Sequence, residues 1–224
     1  MEIIDILSIA SGLLQMLGYG LYIKKSLSKE IDPNPFTWFM FAYGTTLLTV
    51  LEFDRGASPF ILILPVTCST CGVYVAYLCW RRGKMSWPED GFTRAAIVAD
   101  LSLTVLYLIS VLAKASGNLT DEGKSLATLI FLFGSNATTL TSFFPMLKET
   151  YQAPWLENWA PWTVWALAYS VLTVTTFIEI GREQVGLEML IYPISCAILH
   201  GLVGLFSIRK LKNKKMKGEK RKNP

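Results

Sequence analysis

Apolar residues in this chain come in blocks of about twenty, broken by short polar stretches, without the alternation or one-sided stripe of a water-soluble element. Runs long enough to cross the roughly 30 Å hydrocarbon core of a bilayer, about 17 to 25 residues each, fall at 3–23, 36–53, 58–80, 95–113, 125–147, 162–180 and 188–208. The pattern predicts an all-α membrane protein of seven transmembrane helices, the fourth interrupted by Asp100. Glu2 and Asp5 stand where a removable signal peptide would have a basic leader, so the first run is expected to be a true span.

Composition agrees: 52% of the 224 residues are hydrophobic and 17% are charged. The net charge of +4 hides a strong asymmetry among the loops. One side holds Lys24, Lys25, Lys29, Arg81, Arg82, Lys84, Arg94, Lys148 and the tail from Arg209 to Lys222, while the other holds Arg55, Lys114, Lys124 and Arg182. Since basic loops stay in the cytoplasm, the N-terminus is expected outside and the C-terminus inside, in the cell membrane. The tail fits topology-fixing contact with anionic lipid; a nucleic-acid partner is not expected. All four cysteines fall within spans, and "CSTC", though it matches C-x-x-C, fits small-residue helix packing rather than redox chemistry.

The chain repeats itself. "LILPVTC" (62–68) returns as "LIYPISC" (190–196), and Arg81 and Arg209 each follow their proline by 16 residues. "PFTWFMFAYG" (35–44) returns as "PWTVWALAYS" (161–170), and both second-type spans end in Glu followed three residues later by Arg, at Glu52 and Arg55 and at Glu179 and Arg182. The expected division is residues 1–80 as one three-helix repeat, 81–124 as a linker with the fourth helix, 125–208 as a second repeat, and 209–224 as a basic tail. Three spans reverse the chain's side of the membrane. A single linker helix therefore lets both copies insert in the same orientation, as a parallel repeat.

This three-plus-one-plus-three layout resembles the SWEET sugar transporters, the PQ-loop proteins and the Pnu-type vitamin-precursor transporters, which share one fold. In "FFPMLKETYQAPWLENWAPWTVWALAY" (143–169), Pro145-Met146 stands at the Pro-Gln position of a PQ-loop protein, and "ENW" with the tryptophans after it is similar to Pnu-type proteins. The first copy, "GYGLYIKKS", has no proline at that position. By this resemblance Thr67, Cys68, Ser195 and Cys196 lie near pocket level, and an acid and an arginine crossing between copies close the outer mouth. The implied gate is Glu52, Asp54 and Arg55 with Glu179 and Arg182; solvated helix ends are the alternative.

Pro65 and Pro193 are expected to kink their helices, with the small polar residues after them facing each other across a central path. Ordinary packing bends would read the same way. His200, the only histidine, falls near mid-span, where an ionisable group is a candidate for substrate contact or protonation as well as for packing. Gln15, Tyr43, Asn136 and Tyr169 are the remaining polar groups expected near the path. Gly18, Gly20, Pro35, Pro145 and Pro161, with Pro65 and Pro193, are the expected hinges.

The function expected is a transporter of a small polar metabolite such as a sugar, vitamin precursor or amino acid, passive or proton-linked, working by alternating access. The alternative is a receptor or sorting protein that binds on the same fold without transport. A retinal-type photoreceptor is excluded because 188–208 has no lysine. An intramembrane enzyme is not expected, since neither H-E-x-x-H nor G-x-S-x-G occurs. No cofactor or metal is expected. The expected partners are a small polar solute and the bilayer, with a homo-oligomer possible.

Overall fold

The computed structural model describes residues 2–82 and 91–220, with the side chains of Phe92 and 209–220 outside the description. Lys84 and the tail basic side chains lie outside the described residues. The described residues form seven α-helices: α1 Ile3–Leu27, α2 Pro35–Asp54, α3 Ile63–Arg81, α4 Gly91–Ala115, α5 Asp121–Gln152, α6 Trp159–Gly181 and α7 Ile191–Lys220. A 3-10 turn, Leu187–Leu190, leads into α7, and no strand occurs among the described residues. All seven helices are long and apolar enough to span a bilayer, so the protein is a multi-pass membrane protein.

The helix starts follow from local chemistry. The Asn34 and Asn158 side chains accept from the backbone N–H groups of Phe36 and Ala160, each at 3.0 Å, and Thr120 caps α5 through Gly123 N–H at 3.1 Å. Pro35 stands at the first position of α2, where its missing N–H costs nothing. Along the spans, threonine and serine hydroxyls donate to their own helix one turn back, as Thr45 does to the Phe41 carbonyl at 2.5 Å and Thr176 to that of Leu172 at 2.9 Å. A hydroxyl so placed asks nothing of lipid.

The two prolines expected to bend their helices stand at helix starts. Pro65 and Pro193 are each the third residue of their helices, α3 and α7, within the first turn where backbone donors have no intrahelical acceptor. The third span is correspondingly shorter than the apolar run that contains it, because residues 59–62 form turns ahead of the helix. Pro145 is the proline inside α5 and takes the 141–145 hydrogen bond out of that helix.

α3 packs against both α1 and α2, and α7 against both α5 and α6. The two groups meet where α1 lies on α6 and α2 on α5, while α4 rests mainly on α5. Small residues set the spacing: Gly72 brings α3 against the Ala42 backbone of α2, and Gly204 brings α7 against Thr163 and Trp162 of α6. Leucines, isoleucines and valines cover the outside, including Leu13 and Leu17 of α1 and Leu108, Ile109 and Leu112 of α4. The core is aromatic, with Trp38, Trp162, Trp165, Tyr22, Tyr169 and Tyr192 all fully buried.

Gly18 and Gly20, both expected hinges, sit in opposite surroundings. A side chain at Gly18 would run into the Trp165 indole, whereas one at Gly20 meets nothing within 4 Å. Gly18→Ala is expected to lower stability by about 1–3 kcal/mol through overpacking. Gly20→Ala is expected to be neutral or to add up to about 1 kcal/mol. Thermal unfolding of the detergent-purified variants measures both.

Candidate functional site

Aromatic residues from both helix groups converge on a small chamber at their junction. Tyr19 of α1, Trp38 and Phe41 of α2, and Cys68 of α3 form one wall. Phe143 of α5, Trp165 and Tyr169 of α6, and Tyr192, Cys196 and His200 of α7 form the other. Thr45 and Thr139 add hydroxyls that are satisfied on their own helices. About 10 Å³ is left free, room for roughly one water molecule. The chamber is therefore nearly filled by its own side chains.

The polar atoms of the chamber form one short network. The Tyr19 hydroxyl donates to the Cys68 carbonyl at 3.1 Å and lies 3.3 Å from the Cys68 thiol. The Tyr169 hydroxyl donates to the same thiol at 3.5 Å and sits 2.8 Å from the Tyr192 hydroxyl. His200 Nδ1 lies 2.7 Å from the Cys196 carbonyl, which can only accept. Nδ1 therefore carries the proton, and in the neutral ring Nε2 is left as an acceptor. The imidazole is held between ring faces, stacked on Tyr169 at 4.8 Å and tilted against Trp162 at 5.4 Å. Flat apolar surfaces with a few hydroxyl, thiol and imidazole atoms suit a ligand that has an apolar face and a polar edge.

The candidate substrate residues divide. Cys68, Tyr169, Cys196 and His200 line the chamber together. Thr67 instead bonds its own helix through the Ile63 carbonyl at 2.7 Å, and Ser195 lies off the chamber, half-buried. Tyr43 faces α4, with its hydroxyl 2.5 Å from that of Thr104, and borders an apolar groove on the outside of the bundle. Gln15 and Asn136 are buried near the junction but line no part of the chamber, and the side-chain oxygen of each lacks a partner. The Gln15 carbonyl does receive the Trp165 indole N–H at 3.2 Å.

At the end of the bundle where α1 and α5 finish, a second cluster closes the chamber. Trp38 Nε1 donates to the Tyr22 hydroxyl at 3.0 Å, Tyr22 donates to Glu157 Oε1 at 2.9 Å, and Trp162 Nε1 donates to Glu157 Oε2 at 2.9 Å. Glu157 thus ties α1, α2 and α6 together from the short connection between α5 and α6. The Asp32 N–H donates to the Leu156 carbonyl at 3.1 Å, joining the two loops directly. Asn34 Nδ2 donates to Glu149 at 2.9 Å. Burial pushes the Glu157 carboxyl up to about 8, against the opposing pull of the Trp162 and Tyr22 donors.

The opposite end carries the candidate gate, but its pairs are not those within each Glu-x-x-Arg string. Arg55 pairs with Glu188 at 2.6 Å and donates to Ser125 at 2.7 Å. Arg182 pairs with Glu2. Asp54 receives Lys124 and, at 2.8 Å, the Thr128 hydroxyl. Glu179 receives Ser58 at 2.7 Å. Of the expected hinges, Pro145 borders a cleft of about 150 Å³ between α2, α4 and α5, with Asn34, Thr37 and Glu149 on its wall. Pro161 is buried at the third position of α6.

The residues that sequence reasoning missed are Tyr19, Trp38, Phe41, Phe143, Trp165 and Tyr192 in the chamber, and Tyr22, Glu157 and Trp162 at its end. The duplicated strings hold a signal for the tryptophans, since each sits within four residues of its Pro-aromatic-Thr start. No family model, curated protein or solved structure matches the chain.

Tyr22→Phe strands the Trp38 N–H and one Glu157 oxygen in a buried site, and is expected to cost about 1–3 kcal/mol. Because the folded pKa of Glu157 is raised, its contribution to stability is fully present below about 4.5 and is lost as pH rises through about 8. The unfolding midpoint of the wild type should accordingly fall over that window, and Glu157→Gln should flatten the fall. An unchanged slope in the variant would assign the pH dependence elsewhere.

Proposed function

We propose that the protein transports a small polar metabolite across the cell membrane by alternating access between two three-helix units, with the chamber as the substrate site. The observation that carries this reading is the position of the chamber: six helices contribute to its walls, and contacts between the two groups close it at both ends. The packing supports the repeat reading, because α3 takes the same place beside α1 and α2 that α7 takes beside α5 and α6. The contacts α1 on α6 and α2 on α5 are equivalent under that pairing, as a duplicated transporter requires. The resemblance to the SWEET, PQ-loop and Pnu-type transporters belongs to the same proposal.

In this reading the Glu157 cluster is the cytoplasmic gate, and the Arg55–Glu188 and Arg182–Glu2 pairs form the outer one, with the orientation taken from the basic loops. Rocking one unit against the other breaks one set of contacts and keeps the second. The aromatic walls favour a substrate with a flat or ring-shaped apolar face, such as a sugar or the ring of a vitamin precursor or nucleoside.

Purified protein in liposomes should move at least one member of a panel of sugars, nucleosides, vitamin precursors and amino acids. The same compound should raise the thermal midpoint, since a ligand bound only by the folded state stabilises it by mass action. Cys68 and Cys196 should be reachable by impermeant thiol reagents from both sides in turn. Reaction from one side alone, with no flux, would favour the receptor reading.

A further inference from the structure

The outer end of the bundle holds a buried carboxyl of a different kind from Glu157. Glu52, in the last turn of α2, is 3% exposed, and no described protein group hydrogen-bonds its side chain, which leaves Oε2 buried without a partner. The nearest cation in sequence, Arg55, is turned away to Glu188 and Ser125. Lys124 of α5 is taken by Asp54, and Arg182 at the end of α6 by Glu2. Lys114, in the last turn of α4, is taken by Asp121, and the other titratable groups near Glu52 are acidic or neutral. Glu179 of α6 is held by Ser58, α7 presents Tyr192 and Cys196, α3 presents Cys68, and α4 presents Tyr107. Tyr192 and Cys196 lie within electrostatic reach of Glu52 and also line the chamber.

An ionised carboxylate buried in this position without a counter-charge costs several kcal/mol. Two states avoid that cost. The carboxyl can bind a proton and stay buried, or this end of the bundle can open and admit water to the ionised group. We propose that Glu52 is a proton-binding site that couples protonation to closure of the outer gate: the carboxylate takes one proton from the outer solution when the gate is open, and the resulting acid is what the closed form buries. The inference rests on the transport reading for its purpose and names the proton as the ion that gates this end. The site itself rests on the unpartnered carboxyl and the commitment of every neighbouring cation elsewhere.

The test is the rate at which an impermeant maleimide, added to the outer face of intact cells, labels Cys68 and Cys196 as external pH is raised, in the wild type and in Glu52→Gln. The variant has the neutral shape permanently, so it corrects for the pH dependence of thiol reactivity. The ratio of wild-type to variant rate should rise with pH, by up to about tenfold per pH unit below the transition. Purified wild type should show the infrared C=O stretch of protonated carboxylic acids, to which Glu157 also contributes, and the wild-type-minus-Glu52→Gln difference spectrum should contain one such band belonging to Glu52. Glu52→Met, apolar and similar in length, should label as Glu52→Gln does and replaces it if the amide variant fails to fold. A ratio that stays flat with pH, or an acid C=O region that neither variant changes, overturns the proposal. Labelling from the cytoplasmic face does not enter this test; it decides the transport reading separately.

Discussion

Lipid offers no hydrogen bonds, and the arrangement of this protein follows from that constraint. Each helix must present aliphatic side chains outward and settle its own backbone and hydroxyl groups within the bundle. Threonine and serine do so locally, by donating one turn back. Tyrosine, tryptophan and glutamate have reach and cannot. Their polar atoms are compelled to meet one another at the centre, and there they connect helices that are far apart in sequence, as Tyr22 and Glu157 are.

The aromatic centre is accordingly both core and candidate site. Ring pairs such as Tyr19 with Trp165 at 4.9 Å and Trp162 with Trp165 at 5.0 Å add about 0.5–1.5 kcal/mol each beyond the area they bury. The same rings leave only their edges and a few hydroxyl, thiol and imidazole atoms facing the chamber. A ligand that entered would replace ring-to-ring contact with ring-to-ligand contact. The chamber, nearly filled by its own rings, is therefore stabilised by the surfaces that would hold a ligand.

Much of this was legible in the sequence, and the failures have physical causes. Seven apolar blocks announced seven helices because a span is a length constraint, read without knowing any contact. The matched strings brought Cys68 and Cys196 into one chamber. Rotation about each helix was not legible: Ala-Tyr recurs at equivalent places, yet Tyr169 points into the chamber while Tyr43 turns toward α4, a helix without a counterpart in the second group. Pro65 and Pro193 suggested bends because an apolar run does not show where a helix starts within it. Glu157 escaped because it lies in a six-residue connection between spans, where a carboxylate is ordinarily solvated, and only the fold buries it against Tyr22 and Trp162.

Glu157 and Glu52 show how the two ends of one bundle can differ in kind. At Glu157 two indole or phenol donors converge on the carboxyl, so separating α1, α2 and α6 there means breaking several directed bonds at once. At Glu52 no donor arrives, and the bonds that hold that end belong instead to Arg55, Arg182 and Lys124 on its partly exposed rim. Rim ion pairs in water contribute little each, because solvent and salt screen them. On the transport proposal, opening is therefore cheaper at the Glu52 end, where screened ion pairs rather than directed bonds to a buried carboxyl hold the helices together.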